Sequence, residues 1–162
     1  MKSYLILVKH SLPEIVEGLP AREWKLSEEG ERRAEQLAHC LIQFQSETIV
    51  SSDEPKAIET AEIIGRVLSL KVKIVKGMHE QQRDNVAYLS PDLFEASVRE
   101  FFKKPDQIIF GSESADQAHA RFSQAVFSVL KSNVDKTVAI VAHGTVISLF
   151  VSRLVQISDF IL

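Results

Sequence analysis

Two stretches far apart in the chain share one pattern: an apolar run that stops on a histidine. "LILVKHS" runs from Leu5 to Ser11, and "AIVAHGT" from Ala139 to Thr145. Short continuous apolar runs of this kind predict strands buried on both faces, as found in parallel sheets covered by helices on either side. An ionisable residue directly after such a strand is where chemistry collects, because ligands of open α/β sheets sit beyond the carboxyl ends of the strands. Two such strands constrain the chain to a layered α/β architecture with a site along one sheet edge.

The sequence between them alternates strand and helix patterns. Ser27 is a candidate cap for a helix carrying Ala34, Leu37, Ala38, Leu41 and Ile42 at helical spacing. "TIVSS" predicts a short strand over Glu47 to Val50. Ser52 or Asp53 then caps a helix with Pro55 in its first turn and Ala57, Ala61, Ile64 and Leu68 on its apolar stripe. "KVKIV" (Lys71 to Val75) alternates like a strand, and Gly77 breaks it. "SPDLFEASVREFFKK" predicts a helix capped by Ser90 with Phe94, Val98, Phe101 and Phe102 on one face. "GSES" precedes a helix bearing Ala118, Phe122, Ala125, Val126 and Val129, and a last helix spans about Thr145 to Val155. The expected fold is α/β: a three-layer α/β/α sandwich with a mostly parallel central sheet. With no repeat or linker, residues 1–162 are expected to form a single domain with a short cap-like segment around 81–113.

A net charge of −3 gives no general attraction to nucleic acid or to an anionic membrane. No apolar run approaches the length of a membrane span, so neither kind of partner is expected. "MKSYLILVKH" lacks a small-residue cleavage site and predicts a first strand rather than a signal peptide. The lone Cys40 sits among apolar residues, where a buried packing role is expected, and a cytoplasmic location follows as the default. The apolar ending Phe160 to Leu162 is a candidate partner contact, while the oligomeric state is not fixed by the sequence.

Four predicted strand ends carry polar or ionisable residues: Lys9, His10 and Ser11; Ser51 and Ser52, with Lys56 one helical turn on; His79 and Glu80; and His143 with Gly144. A parallel sheet brings them to one edge. Lysines beside helix N-termini make an anion pocket. A neutral imidazole there is a nucleophile toward phosphorus, a second imidazole kept protonated by the anion stabilises charge on the transferring group, and a carboxyl group protonates the leaving oxygen. The set suits phosphoryl transfer without a metal or other cofactor. Zinc on His10, His143 and Glu80 is disfavoured by the neighbouring Lys9 and Lys56. His39, His79 and His119 are expected to be structural or solvent-facing.

These pieces occur in the order seen in the histidine phosphatase superfamily, the phosphoglycerate-mutase-like proteins, which the chain resembles from Tyr4 to about Leu154. "VKHS" resembles the family's strand followed by Arg-His-Gly, and "KLSEEGERRAEQLA" its leucine, serine and glycine before a helix. "SSDEPKAIETA" resembles Ser-Ser followed by Arg-Ala and Thr-Ala, "GSESADQAHARF" a Gly-Glu-Ser element before an arginine-bearing helix, and "IVAHGT" the closing Val-X-His-Gly. The resemblance implies that His10 is the nucleophile that becomes phosphohistidine. It implies that Lys9, Lys56 and His143 hold phosphoryl oxygens and that Glu80 is the general acid. Ser11 and Arg83 are further candidate substrate contacts.

The chain departs from the family where both pocket arginines are lysine and Ser11 replaces a glycine. Lysine keeps the charge but loses the planar fork that grips an oxyanion bidentately. The expectation is a metal-independent phosphatase acting on phosphomonoesters, with a small phosphorylated substrate or a phosphoprotein as its partner. A phosphomutase and a catalytically weak phospho-ligand-binding domain are the alternatives.

Overall fold

The computed structural model describes residues 2–156. The candidate contact at Phe160 to Leu162 lies outside them. The elements in chain order are β1 (Leu5–Lys9), α1 (Glu28–Leu41), β2 (Thr48–Ser51), α2 (Pro55–Leu68), β3 (Val72–Ile74), α3 (Pro91–Lys103), α4 (Ala115–Lys131), β4 (Val138–Ala142) and α5 (Gly144–Leu154). Short 3-10 turns lie at Ala21–Glu23 and Ile42–Phe44.

The four strands form one sheet in the order β1-β4-β2-β3, and every pairing is parallel. The α/β expectation is met. β4 lies inside the sheet and all five of its residues are buried. Val138, Ile140 and Ala142 face a core shared with α3, α4 and α5, where Phe101, Phe122 and Phe150 pack. Ala139 and Val141 face the opposite side, against Ala38 and Leu41 of α1 and Ala57, Ala61 and Ile64 of α2. Helices on both faces make three layers. Each fully buried large apolar side chain, such as Phe122 or Ile140, contributes roughly 1.5–3 kcal/mol relative to exposure.

Local chemistry explains several boundaries. Ser27 Oγ accepts the Gly30 N–H at 3.0 Å, capping α1 as predicted. Gly30 itself is dictated by crowding: a Cβ there would lie 2.0 Å from the Leu12 carbonyl oxygen. α4 opens with a reciprocal capping box between Ser114 and Gln117.

Two expectations are corrected. The N-cap of α2 is Glu54, not Ser52 or Asp53. The residue before a proline is driven to extended backbone, and Glu54, at φ −84° and ψ 138°, is the last such residue before Pro55. Cys40 is exposed rather than buried. The buried stripe of α1 runs through Ala34, Ala38 and Leu41, and Cys40, two residues beyond Ala38, is turned about 200° away. Among the described residues, no helix is long and apolar enough to cross a membrane.

Candidate active site

Parallel pairing brings the carboxyl ends of all four strands to one edge, and the ladder continues past them. His10 N–H donates to Ala142 O, and Ser52 N–H donates to Val141 O, both at 2.9 Å. These bonds fix His10 alongside the end of β4, so the next residue, His143, stands opposite it. The two imidazole centroids are 5.1 Å apart with their planes at 59°. Residues 133 positions apart in sequence thus flank one small space.

His10 Nδ1 lies 2.7 Å from Ser11 O. A carbonyl oxygen only accepts, so Nδ1 carries the proton and Nε2 keeps its lone pair. Burial lowers the pKa of His10 from 6.5 to about 4. The bond to Ser11 opposes that shift, and the nearby Lys56 and Lys9 charges add to it. His10 is therefore a neutral imidazole at neutral pH, with its tautomer set by the backbone.

His143 is fully buried, and its Nε2 lies 2.8 Å from Ser52 Oγ while Nδ1 has no partner. Desolvation, followed by the influence of His10, Lys56 and Arg83, lowers its pKa well below the ordinary value. The chain's own groups thus hold His143 neutral. In the chain alone, burial and the surrounding cations prevail; the protonated imidazole expected is one held by a bound anion.

Glu54, which the strand-end pattern does not mark as a site residue, joins the site. Its Oε2 pairs with Lys56 Nζ at 2.5 Å, and both side chains are buried. Its Oε1 accepts the Glu80 N–H at 2.8 Å and lies 3.7 Å from His143 Nε2. Lys56 also donates to Ala21 O at 2.6 Å. The lysine expected to hold phosphoryl oxygens is therefore already bound to a carboxylate.

The other candidates divide. Lys9, the last residue of β1, is exposed and has no ion-pair partner among the described residues; its stem lies over Gly144. Arg83 has its guanidinium 5.0 Å above the Phe94 ring, and its Nη1 is buried without a hydrogen-bond partner. Ser11 does not offer its hydroxyl to the site. Its Oγ donates to Gly30 O at 2.7 Å, and its N–H donates to Thr60 Oγ1 at 3.0 Å, so it ties the loop after β1 to α1 and α2.

Glu80 caps the start of α5. Its Oε2 accepts the Thr145 N–H at 3.1 Å, and its Oε1 accepts those of Val146 and Gln81 at 3.3 and 2.9 Å. The loop carrying it is held by Arg121, which donates to the carbonyls of Gly77, His79 and Glu80 and pairs with Glu113 at 2.5 Å. Glu113 in turn accepts the Gln82 N–H at 2.9 Å. "GSES" and the helical arginine thus brace the third strand's loop. His79 is closer to the chemistry than expected: it lines a polar cavity of about 300 Å³ together with Glu54, Glu80, Arg22 and Asp84. His39 is exposed and His119 contacts Ser123, in line with structural or surface roles. Among the described residues, no group of three or more His, Cys, Asp or Glu side chains is gathered as a metal site requires.

The family profile described as histidine phosphatase superfamily (branch 1) matches residues 6–159. The chain belongs to this superfamily. No curated protein matches it, but solved structures of other superfamily-like folds do. A mycobacterial glucosyl-3-phosphoglycerate phosphatase is similar at TM-score 0.78 and 23% identity, covering 94% of this chain and 79% of that one. A phosphoserine phosphatase from Entamoeba histolytica is similar at TM-score 0.77 and 22% identity, covering 95% and 80%. The alpha-ribazole phosphatase of Shigella flexneri is similar at TM-score 0.71 and 21% identity, covering 93% and 78%. At these identities the likeness establishes the fold. Within it, His10 and His143 stand side by side, Lys56 is paired with Glu54, and Glu54 accepts the Glu80 N–H. A sequence signal for Glu54 existed: Pro55 fixes it as the extended residue at the mouth of α2, beside Lys56.

Proposed function

We propose that the chain is a metal-independent phosphomonoesterase that passes the phosphoryl group through His10. The observation that carries this reading is the state of His10: neutral, held through Nδ1, with Nε2 free and a second imidazole 5.1 Å away. Nε2 attacks phosphorus in line as the ester P–O bond breaks. The departing oxygen takes a proton from Glu80, whose Oε2 accepts only the Thr145 N–H and so has a lone pair for that proton. The resulting carboxylate then removes a proton from the water that attacks phosphohistidine, releasing phosphate and regenerating both groups. His143 gives an N–H to a phosphoryl oxygen, while Lys9 and Arg83 supply positive charge that no carboxylate among the described residues pairs with. Segment 81–113 supplies Arg83, and its Gln81, Gln82 and Asp84 line the polar cavity. The phosphatase names carried by structures of similar fold support transfer to water over transfer within a substrate.

The test is a panel of phosphomonoesters with chelator present, run on the wild type beside His10→Ala. The variant is expected to lose turnover by about three orders of magnitude or more, as removal of a nucleophile does, together with all acid-labile phosphate label. Normal turnover in it eliminates the mechanism. The Glu54–Lys56 pair favours one second reading, a phosphate-binding domain with little catalysis. Thermal stabilisation by phosphate without turnover of any ester would select it.

A further inference from the structure

Beside the polar cavity lies a second, larger one of about 620 Å³. Its walls come from two segments, 15–24 and 83–94, and are dominated by Ile15, Val16, Leu19, Trp24, Tyr88 and Phe94. Several of these are left open to solvent: Ile15 is 56% exposed, Leu19 47% and Tyr88 58%. Isolated exposed apolar residues need no explanation, but a concave cluster of them does. Its volume falls in the roughly 300–1,000 Å³ range of small-molecule sites, which are mostly apolar with a few placed polar groups.

Its position says what those polar groups are. Asp84 lines both cavities, and its ion pair with Arg22 stands between them. Arg83 lines the apolar cavity, stacks on its Phe94, leaves Nη1 buried and unpartnered, and acts electrostatically on His143. From the wall of the apolar cavity, Arg83 thus offers one unpartnered nitrogen and a charge that reaches His143, which suits the bridging point between a phosphoryl group and the alcohol that carries it. The segment is also braced to keep this shape. Trp24 Nε1 donates to the carbonyls of Val16 and Leu19, and Lys56 holds the adjoining turn through Ala21 O.

We propose that this cavity is the alcohol subsite, and that the substrate is a phosphomonoester of a bulky apolar alcohol, with Arg83 at the phosphate end. This presupposes the phosphatase activity proposed above, so its test has an arm that needs no catalysis.

Trp24 is the only tryptophan in the chain and lines the cavity, which makes it a native reporter. Titration with 1-naphthol is expected to change its fluorescence saturably. The surface variants Leu19→Lys and Tyr88→Asp, checked for folding by circular dichroism, should weaken that binding about tenfold or more, the loss of roughly 1.4 kcal/mol. The wild type should also hydrolyse 1-naphthyl phosphate with higher kcat/KM than phosphoserine, and both variants should reduce that ratio about tenfold. No saturable naphthol binding, binding untouched by either variant, or a preference for phosphoserine overturns the proposal. So does naphthol binding that weakens as protein concentration rises, which would assign the cavity to a second copy of the chain. Naphthol binding that both variants weaken, without hydrolysis of any ester, upholds the apolar subsite and overturns the phosphatase reading instead.

Discussion

Glu54 alters what the neighbouring lysine is able to do. A dianion approaching His143 meets a buried carboxylate already seated on Lys56, with Oε1 3.7 Å from the imidazole. Exchanging Lys56 for arginine would leave that carboxylate in place, so the absence of arginine is the smaller handicap. Glu54→Gln removes the charge and keeps an acceptor for the Glu80 N–H. Breaking a buried pair from one side costs about 3–5 kcal/mol, so the variant's thermal midpoint should fall in phosphate-free buffer. Its phosphate affinity should rise about tenfold or more, and added phosphate should recover more of the midpoint than in the wild type. Isothermal titration and thermal melts with phosphate check both. An unchanged phosphate Kd would place Glu54 outside the anion's reach.

At the scale of elements, the loop after β3 is held in place by a different helix from the one it caps. Glu80 serves α5, yet Arg121 of α4 fixes the loop through three carbonyls and Glu113. Arg121→Lys keeps the charge and loses the fork. Turnover and the rate of His10 labelling should both drop about tenfold or more, since Glu80 serves both steps, while inorganic phosphate still binds; loss of phosphate binding as well would mean a general collapse of the site. These elements were legible in the sequence to different degrees. β4 was plain because both its faces are buried, β1 because its partly buried apolar residues pack against helices on both faces, and α1 because Ser27 caps a regular apolar stripe. The start of α2 was misread because Ser52 and Asp53 are good caps by local chemistry, whereas Ser52 faces His143 and Pro55 fixes the boundary one residue later. The two histidines could be found because each follows a continuous apolar run. Glu54 and the bracing of Glu80 arise from contacts between distant segments, which no local pattern carries.

For the molecule as a whole, two neutral imidazoles, one half-buried and one fully buried, link acidity to stability. His10 moves from 6.5 to about 4 on folding, and His143 moves in the same direction. Between those values the unfolded chain binds more protons than the folded one. Stability is therefore unaffected by His10 above pH 6.5, falls as pH drops toward 4, and loses nothing further from this group below that. The slope from one such group is of the order of 1 kcal/mol per pH unit. Thermal melts from pH 7.5 to 4.5 should show His10→Gln with the flatter dependence, and an identical slope would contradict a neutral His10. Strand order adds a constraint of another kind. β1 has β4 as its one sheet neighbour among the described residues, and Tyr4 bonds to Thr137 across 133 positions. Contacts of such long range form late, after shorter loops have closed. His10 is synthesised long before the strand that sets His143 beside it, so the two imidazoles meet only once β4 has joined the sheet.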